Sequence, residues 1–399
     1  MMQSTSIAKA VKLLVATVAV GVMGSAAAAE GTTRVIVKFK DGHGNASMKS
    51  AVSAMKGTVK HEIFGMNAMA IEVPQQALKG LKNNPNVEYV EEDHKRYPSA
   101  LTSPSTGNPY LLGQAVPYGI KLVQADLLPD TNAGNRRVCI IDSGIDRAHP
   151  DLNGNSANMT GVYDSGTGNW YTDQNSHGTH VAGTIAAVNN SNVGVVGVNS
   201  NRRLKLHIVK VFGANGWAYS STLASAANQC ASYGANVISM SLGGPSYNST
   251  ENSTFANLAS RGILNIAAAG NAGNTAISYP AGYTSVMSVG AVNEYKQWAS
   301  FSQYNSKVEI AGPGVGVRST VPGGGYANFD GTSMATPHVA GVAALVWSYF
   351  PTCTGAQIRT SLGKSAQDLG TAGRDTRYGF GLVQARAAYD RIRNYGCGV

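Results

Sequence analysis

From Gln114 onward the chain alternates two patterns. Short, almost wholly apolar runs at residues 137–142, 206–212, 235–242, 263–269, 286–292 and 308–311 read as buried strands. Between and after them, residues 177–188, 221–233, 250–261, 334–350, 354–362 and 382–394 carry apolar side chains at helical spacing. Strands that are apolar on both faces and separated by helices predict an α/β fold, a mainly parallel sheet with helices on both sides. In such sheets sites form at the carboxyl ends of strands. Asp142 ends one strand, and Gly270-Asn271 follows another.

Residues 30–97 follow a different pattern. Residues 34–39 alternate like a strand, 68–73 give a second and 87–90 a third, and 76–82 read as a helix. This is a small α+β module ending in Glu91-Glu92-Asp93-His94. Residues 98–112, rich in Ser, Thr, Pro, Gly and Asn, read as a linker to a larger domain over 113–399. The first 29 residues place Lys9 and Lys12 before an apolar run at 13–22 and the small residues Ser25 to Ala29. That order is a signal peptide's, cut after Ala29, and its apolar core is too short to span a membrane. The expectation is export, with no membrane association after cleavage.

Composition narrows the picture. The 399 residues carry a net charge of +9 without a basic block interleaved with aromatics, so nucleic-acid binding is not expected. Only 13% of residues are charged and 47 are glycine, as suits close packing of helices on a sheet. The four cysteines lack a Cys-x-x-Cys pair, which leaves zinc and redox chemistry unsupported. An even count in an exported chain favours disulfides. Bonding Cys353 to Cys397 would staple the C-terminus. Cys139 and Cys230 either pair or stay as buried thiols.

Three segments carry chemistry. Gly331-Thr332-Ser333-Met334-Ala335-Thr336-Pro337-His338 puts a serine at a glycine-preceded helix start, with Pro337 in the first turn. A hydroxyl there faces free N–H groups and the positive end of the helix dipole, which suits a nucleophile whose product is an oxyanion. The others are Val138-Cys139-Ile140-Ile141-Asp142-Ser143-Gly144 and His177-Gly178-Thr179-His180-Val181-Ala182-Gly183. Taken singly, Asp142 is a strand end, His177 a helix cap and Ser333 an N-cap. Together they offer a nucleophile, a base and a group to orient the base. His177 and His180 stand three apart but lack the glutamate of a His-Glu-x-x-His zinc site, so His180 and His338 read as packed helix residues.

In this order, Asp, His, Ser, the three segments resemble the subtilisin-like serine proteases, and the resemblance runs over nearly the whole chain after the signal peptide. It implies a catalytic triad of Asp142, His177 and Ser333, with Asn271 as the oxyanion-hole side chain. It further implies a substrate cleft lined by Ser241, Leu242 and Gly243 on one side, Gly216 and Trp217 on the other, and Ala268 and Gly270 before Asn271. Residues 30–97 resemble the family's inhibitory propeptide, which assists folding and is then cut away, at a bond between Arg96 and Gly113. The resemblance also implies a structural Ca²⁺ held by Gln114, Asp151 and Asn190 and by the carbonyls of Val188, Val193 and Val195, although the loop at 189–195 is one residue longer than the family's. The expected activity is that of a secreted, monomeric serine endopeptidase of broad specificity, made as a zymogen. Its partners would be protein and peptide substrates and its own propeptide. A non-catalytic peptide-binding protein on the same fold, or an esterase using the same triad, is the alternative. The first would require loss of a triad member, and the second lacks the Gly-x-Ser-x-Gly elbow.

Overall fold

The structure is a computed structural model that describes residues 31–42, 45–99, 114–164, 166–190 and 194–399. The expected signal peptide and residues 100–113 lie outside the described residues. The N-terminal module contains strands β1 (Thr32–Phe39), β2 (Thr58–Glu62), β3 (Ala68–Pro74) and β4 (Val87–Glu92) and helices α1 (Asn45–Ala54) and α2 (Ala77–Lys82). The strands form an antiparallel sheet in the order β2-β3-β1-β4. One face buries Val35, Val37, Met69, Ile71 and Val73 against Met48, Val52 and Leu81 of the helices.

A short strand, β5 (Lys95–Pro98), follows the module. The linker expected from residue 98 therefore starts later, because Pro98 is still paired and the Ser99 N–H donates to the Ser241 carbonyl at 3.1 Å.

In the larger domain the strands are β6 (Arg137–Asp142), β7 (Met159–Val162), β8 (Lys205–Lys210), β9 (Ala218–Tyr219), β10 (Val237–Met240), β11 (Leu242–Gly243), β12 (Leu264–Ala268), β13 (Val286–Val292), β14 (Val308–Pro313), β15 (Val317–Val321) and β16 (Gly325–Phe329). Seven of these make one wholly parallel sheet in the order β14-β13-β12-β10-β6-β8-β7. Helices α3 (Tyr118–Leu122), α4 (Pro150–Asn153), α5 (His177–Ala186), α6 (Ser220–Ser232), α7 (Ser249–Ser260), α8 (Thr332–Tyr349), α9 (Gly355–Ser365) and α10 (Ala385–Tyr395) surround it. Among the described residues no helix is long and apolar enough to cross a membrane.

Strand β6 shows why its sequence is apolar throughout. Val138 and Ile140 face the core of α5 and α8, while Cys139 and Ile141 face the core of α6 and α7. Burying each Val or Ile contributes about 1.5–3 kcal/mol. Helix α8 is buried along almost its entire length, which is why its sequence lacks a polar face. Pro337, expected in the first turn, is instead the sixth residue of the helix; its missing N–H frees the Ser333 carbonyl, which accepts from the Ser241 hydroxyl at 2.8 Å.

Cys139 pairs with Cys230, tying β6 to α6, and Cys353 pairs with Cys397. The helix expected to start at Leu382 starts at Ala385, because Leu382 bridges to Ala311 and Gln367.

Candidate active site

Asp142 lies at the carboxyl end of β6, and His177 is the first residue of α5. Their approach depends on glycines. A Cβ on Gly178 would lie 2.1 Å from the Gly144 carbonyl, and Gly144 itself has φ +91°. The helix start is further organised by Asp173, whose carboxylate accepts from the N–H groups of Asn175, Ser176 and Thr179. Nδ1 of His177 stands 2.7 and 2.9 Å from the two oxygens of Asp142, and both side chains are buried. Asp142 Oδ1 also accepts from the Ser143 N–H at 2.7 Å. Burial pulls the His177 pKa down, but the charge and hydrogen bond of Asp142, with Asp173 beyond, outweigh it, so the imidazole titrates above an ordinary histidine. Nε2 is buried without a hydrogen-bond partner.

Ser333 is the second residue of α8, after Gly331 at φ +149°. Its hydroxyl donates to the Ser241 carbonyl at 2.8 Å rather than to His177. Asn271 follows β12 and Gly270, and its Oδ1 accepts from the Thr332 N–H (2.9 Å) and hydroxyl (2.8 Å). That fixes which way the amide points: Nδ2 lies 2.5 Å from the Ser99 carbonyl oxygen. The same oxygen accepts from the Ser333 N–H at 3.1 Å. Two donors therefore converge on one peptide carbonyl, a geometry suited to a developing oxyanion.

That carbonyl arrives on β5, which runs antiparallel between β11 and β9. Leu242 and Gly243 pair with Pro98 and Tyr97, while Ala218 and Tyr219 pair with Arg96 and Lys95. The prodomain tail thus fills the cleft as an added strand. Beside Ser99 lies a cavity of about 490 Å³ lined by Gly243, Gly270, Asn271, Ile277, Ser278 and their neighbours, without a charged side chain.

Not every residue inferred for this cleft sits where it was expected. The second edge is Ala218–Tyr219, just past Gly216 and Trp217. Gly216 takes φ +67° in a turn, and a Cβ there would meet only Asn175 Nδ2 at 3.6 Å; the close approach to β5 belongs to Gly244, whose Cβ would lie 2.7 Å from the Lys95 carbonyl. Trp217 carries the Lys95 ammonium 4.2 Å from its ring centroid and does not line the cavity beside Ser99. Ala268 is buried at the end of β12 and is also absent from that lining. Ser241 contributes its carbonyl to both Ser99 and Ser333.

Asp151 of α4 meets the loop after α5 and the start of the larger domain. This carboxylate is buried and accepts from Asn190 Nδ2 and the Val195 N–H, each at 2.8 Å. Burial raises its pKa against those hydrogen bonds. The Gln114 amide lies 2.8 and 2.9 Å from the carbonyls of Val188 and Val195. The ends of such an amide exchange by a flip, so the same position presents an oxygen beside two carbonyls. With the Asn190 amide turned in the same way, the donors would all be oxygen, the kind of set that suits Ca²⁺. Val193 lies outside the described residues.

Contacts between module and domain include residues that the sequence pattern left unassigned. Asp93 accepts from the Ser221 N–H (2.9 Å) at the start of α6, and from both hydroxyls of Ser220 and Ser221. Glu91 accepts from the Ser249 and Thr250 N–H groups at the start of α7. Ile36, Ile63 and Ala68 pack on Ala224. Arg96 and Glu251 form a fully buried ion pair.

A serine at a helix start, a buried acid–imidazole pair and a peptide strand delivered to two convergent donors make a site for serine-based peptide hydrolysis. Sequence comparison agrees. Residues 134–381 match the subtilase family, and residues 32–93 match the fervidolysin N-terminal prodomain. The chain is 41% identical over 386 residues to subtilisin amylosacchariticus of Bacillus subtilis subsp. amylosacchariticus, covering 94% of this chain and 96% of that protein. It is 39% identical over 347 residues to alkaline elastase YaB of a Bacillus species, covering 86% of this chain and 84% of that protein. Among solved structures it resembles the psychrophilic subtilisin-like protease Apa1 of Pseudoalteromonas sp. AS-11, with a TM-score of 0.68, 35% identity, and coverage of 72% of this chain and all of that one. The chain belongs to the subtilase family. It is a serine endopeptidase of the subtilisin type, with an N-terminal prodomain and a subtilisin-like fold.

Proposed function

We propose that the chain is a secreted zymogen whose mature domain cleaves proteins through Asp142, His177 and Ser333, and that it matures by cutting its own Ser99–Ala100 bond. The observation that carries the reading is the Ser99 carbonyl oxygen, held by the Ser333 N–H and Asn271 Nδ2. Rotation about the Ser333 Cα–Cβ bond exchanges the Ser241 carbonyl for the unpartnered Nε2 of His177. Ser333 Oγ then attacks the Ser99 carbonyl carbon while its proton passes to His177 Nε2. Asp142 orients the imidazole and stabilises its cation, and Asn271 with the Ser333 N–H stabilises the oxyanion. The C–N bond breaks as His177 returns the proton to the Ala100 nitrogen. Water, deprotonated by His177, releases the acyl group from Ser333.

Main-chain pairing on both sides of the strand, beside an uncharged cavity, supports broad specificity at the residue before the scissile bond. The signal-like residues 1–29 support export. Ca²⁺ bound by Gln114, Asp151, Asn190 and the carbonyls of Val188, Val193 and Val195 would cross-link the start of the mature domain to the loop after α5, and takes no part in the chemistry. The test is Ser333→Ala in the full chain. The wild type should release a prodomain whose mass ends at Ser99, and the variant should stay uncut and leave casein intact. Casein hydrolysis by the pure variant, or a wild-type first cut elsewhere, would overturn the reading.

A further inference from the structure

Glu251 lies in the first turn of α7, three residues after the N-cap Asn248, whose side chain accepts from the Glu251 N–H at 3.0 Å. At that position a glutamate ordinarily turns back to bond the N-cap N–H. Here it does not: the Asn248 N–H donates to the Tyr283 hydroxyl instead. The carboxylate points into the cleft, where Oε1 and Oε2 take Nε and Nη2 of Arg96 at 3.0 and 2.7 Å. Tyr283 donates to Oε2 at 2.8 Å, and the Ser246 carbonyl accepts from Nη2 at 2.9 Å. This is the bidentate arrangement that favours a guanidinium over an ammonium. Both partners of the pair have 0% side-chain exposure.

Arg96 is not simply a docking contact of the globular module. It lies on β5, three residues before Ser99, paired with Ala218 in the same antiparallel ladder that carries Ser99 to Asn271. Along this strand Arg96 faces inward while its neighbour Tyr97 is 46% exposed. Any peptide bound in this register puts its fourth residue before the scissile bond where Arg96 now sits. Apart from the Lys95 carbonyl of the strand itself, 3.1 Å from Nη1, the groups that hold the guanidinium are Glu251 and the Ser246 carbonyl; these, and Tyr283 behind Glu251, belong to the catalytic domain and remain after the prodomain leaves. Among the described residues Glu251 makes no ion pair with a cation of the catalytic domain. Prodomain release therefore leaves a preformed carboxylate in a pocket shaped for a guanidinium.

We infer that Glu251 is a specificity-determining residue that selects substrates with arginine at the fourth position before the cleaved bond. This rests on the register proposed above, with Ser99 before the scissile bond. The selection is superimposed on main-chain gripping, so permissiveness beside the cut coexists with charge selection further along the strand. It also makes the prodomain tail a good match to its own enzyme.

The probes are N-acetylated peptides carrying residues 95–101, with arginine, citrulline, leucine or alanine at the position of Arg96. Citrulline keeps the shape and removes the charge. The mature enzyme should cleave the arginine peptide with kcat/KM about 30-fold or more above the citrulline one, as expected for a buried, hydrogen-bonded charge pair. Glu251→Gln should collapse that ratio toward unity. Glu251→Leu combined with Arg96→Leu leaves no charge buried alone in the zymogen, and should prefer the leucine peptide. Equal kcat/KM for arginine and citrulline in the wild type, or a ratio that survives Glu251→Gln, overturns the inference while the endopeptidase reading stands. Failure to cut any of these peptides after serine removes the register and the inference with it.

Discussion

At the scale of single residues, the oxyanion site depends on an indirect partner. Asn271 Nδ2 can aim at the substrate carbonyl only because its Oδ1 is held by the N–H and hydroxyl of Thr332. Asn271→Ala should lower kcat about 100- to 1000-fold with little change in KM, the cost established for such a donor in a subtilisin itself. Thr332→Val keeps the N–H but loses the hydroxyl, and should lower kcat by a smaller factor, again without a matching rise in KM. Steady-state kinetics on one peptide separates the two variants. His177 sets the pH profile. It accepts a proton only when neutral, and its pKa is raised, so kcat/KM should fall as pH drops through a value above that of an ordinary histidine. Asp142→Asn removes the charge that raises it and should shift the acid limb to lower pH; an unmoved limb would deny Asp142 this role. The nucleophile, base and acid were legible in the sequence because each sits in a short contiguous segment whose local geometry its chemistry demands. Glu251 was not, because Asn248-x-x-Glu251 reads as a helix cap and its partner is 155 positions away.

At the scale of elements, the module holds the domain by lending carboxylates to helix starts. The N-terminus of α6 has no side-chain cap of its own from Tyr219, and Asp93 supplies one. Glu91 does the same for α7, alongside Asn248. A carboxylate at this end of a helix both accepts the orphan N–H groups and meets the positive end of the dipole. Asp93 also pairs with Arg34 of β1 at 2.8 Å, so one side chain joins sheet, helix and tail. In the uncut Ser333→Ala chain, Asp93→Ala should therefore cost about 2 kcal/mol and lower the melting temperature. The mature enzyme processed from an Asp93→Ala chain that keeps Ser333 lacks residue 93 and should melt unchanged, which separates loss of docking from a general folding defect. The buried strands were legible because both faces of the sheet are covered. Helix α1 and strand β2 were not: α1 buries only Met48 and Val52, and Thr58–Glu62 has no fully buried position. Hairpin β15–β16 was hidden for a similar reason, since its second strand buries only Tyr326.

At the scale of the whole molecule, both ends of the segment 100–113 are already placed. Ser99 lies in the cleft, while Ala115 bridges in parallel to Val195, with its N–H on the Gly194 carbonyl at 2.7 Å. The fourteen intervening residues, at up to about 3.3–3.6 Å each, can reach nearly 50 Å. The Gln114 end therefore docks on the loop after α5 without waiting for the Ser99–Ala100 bond to be cut. This bears on the proposed Ca²⁺ site, whose donors come from α4 (Asp151), the loop after α5 and the start of the mature domain. If those donors meet before maturation, the ion should stabilise the uncut chain as well as the mature enzyme. An ion that binds only the folded state adds about 2.7 kcal/mol at a hundred times its dissociation constant. Chelation should accordingly lower the melting temperature of the uncut Ser333→Ala chain and of the mature enzyme alike, and initial rates in the cold should hold. Asp151→Asn removes the one full negative charge from the donor set, so it should lower both melting temperatures and abolish the further drop on chelation. Stabilisation confined to the mature form would mean that the site closes only after the cut. An unmoved melting temperature in both forms would remove the site.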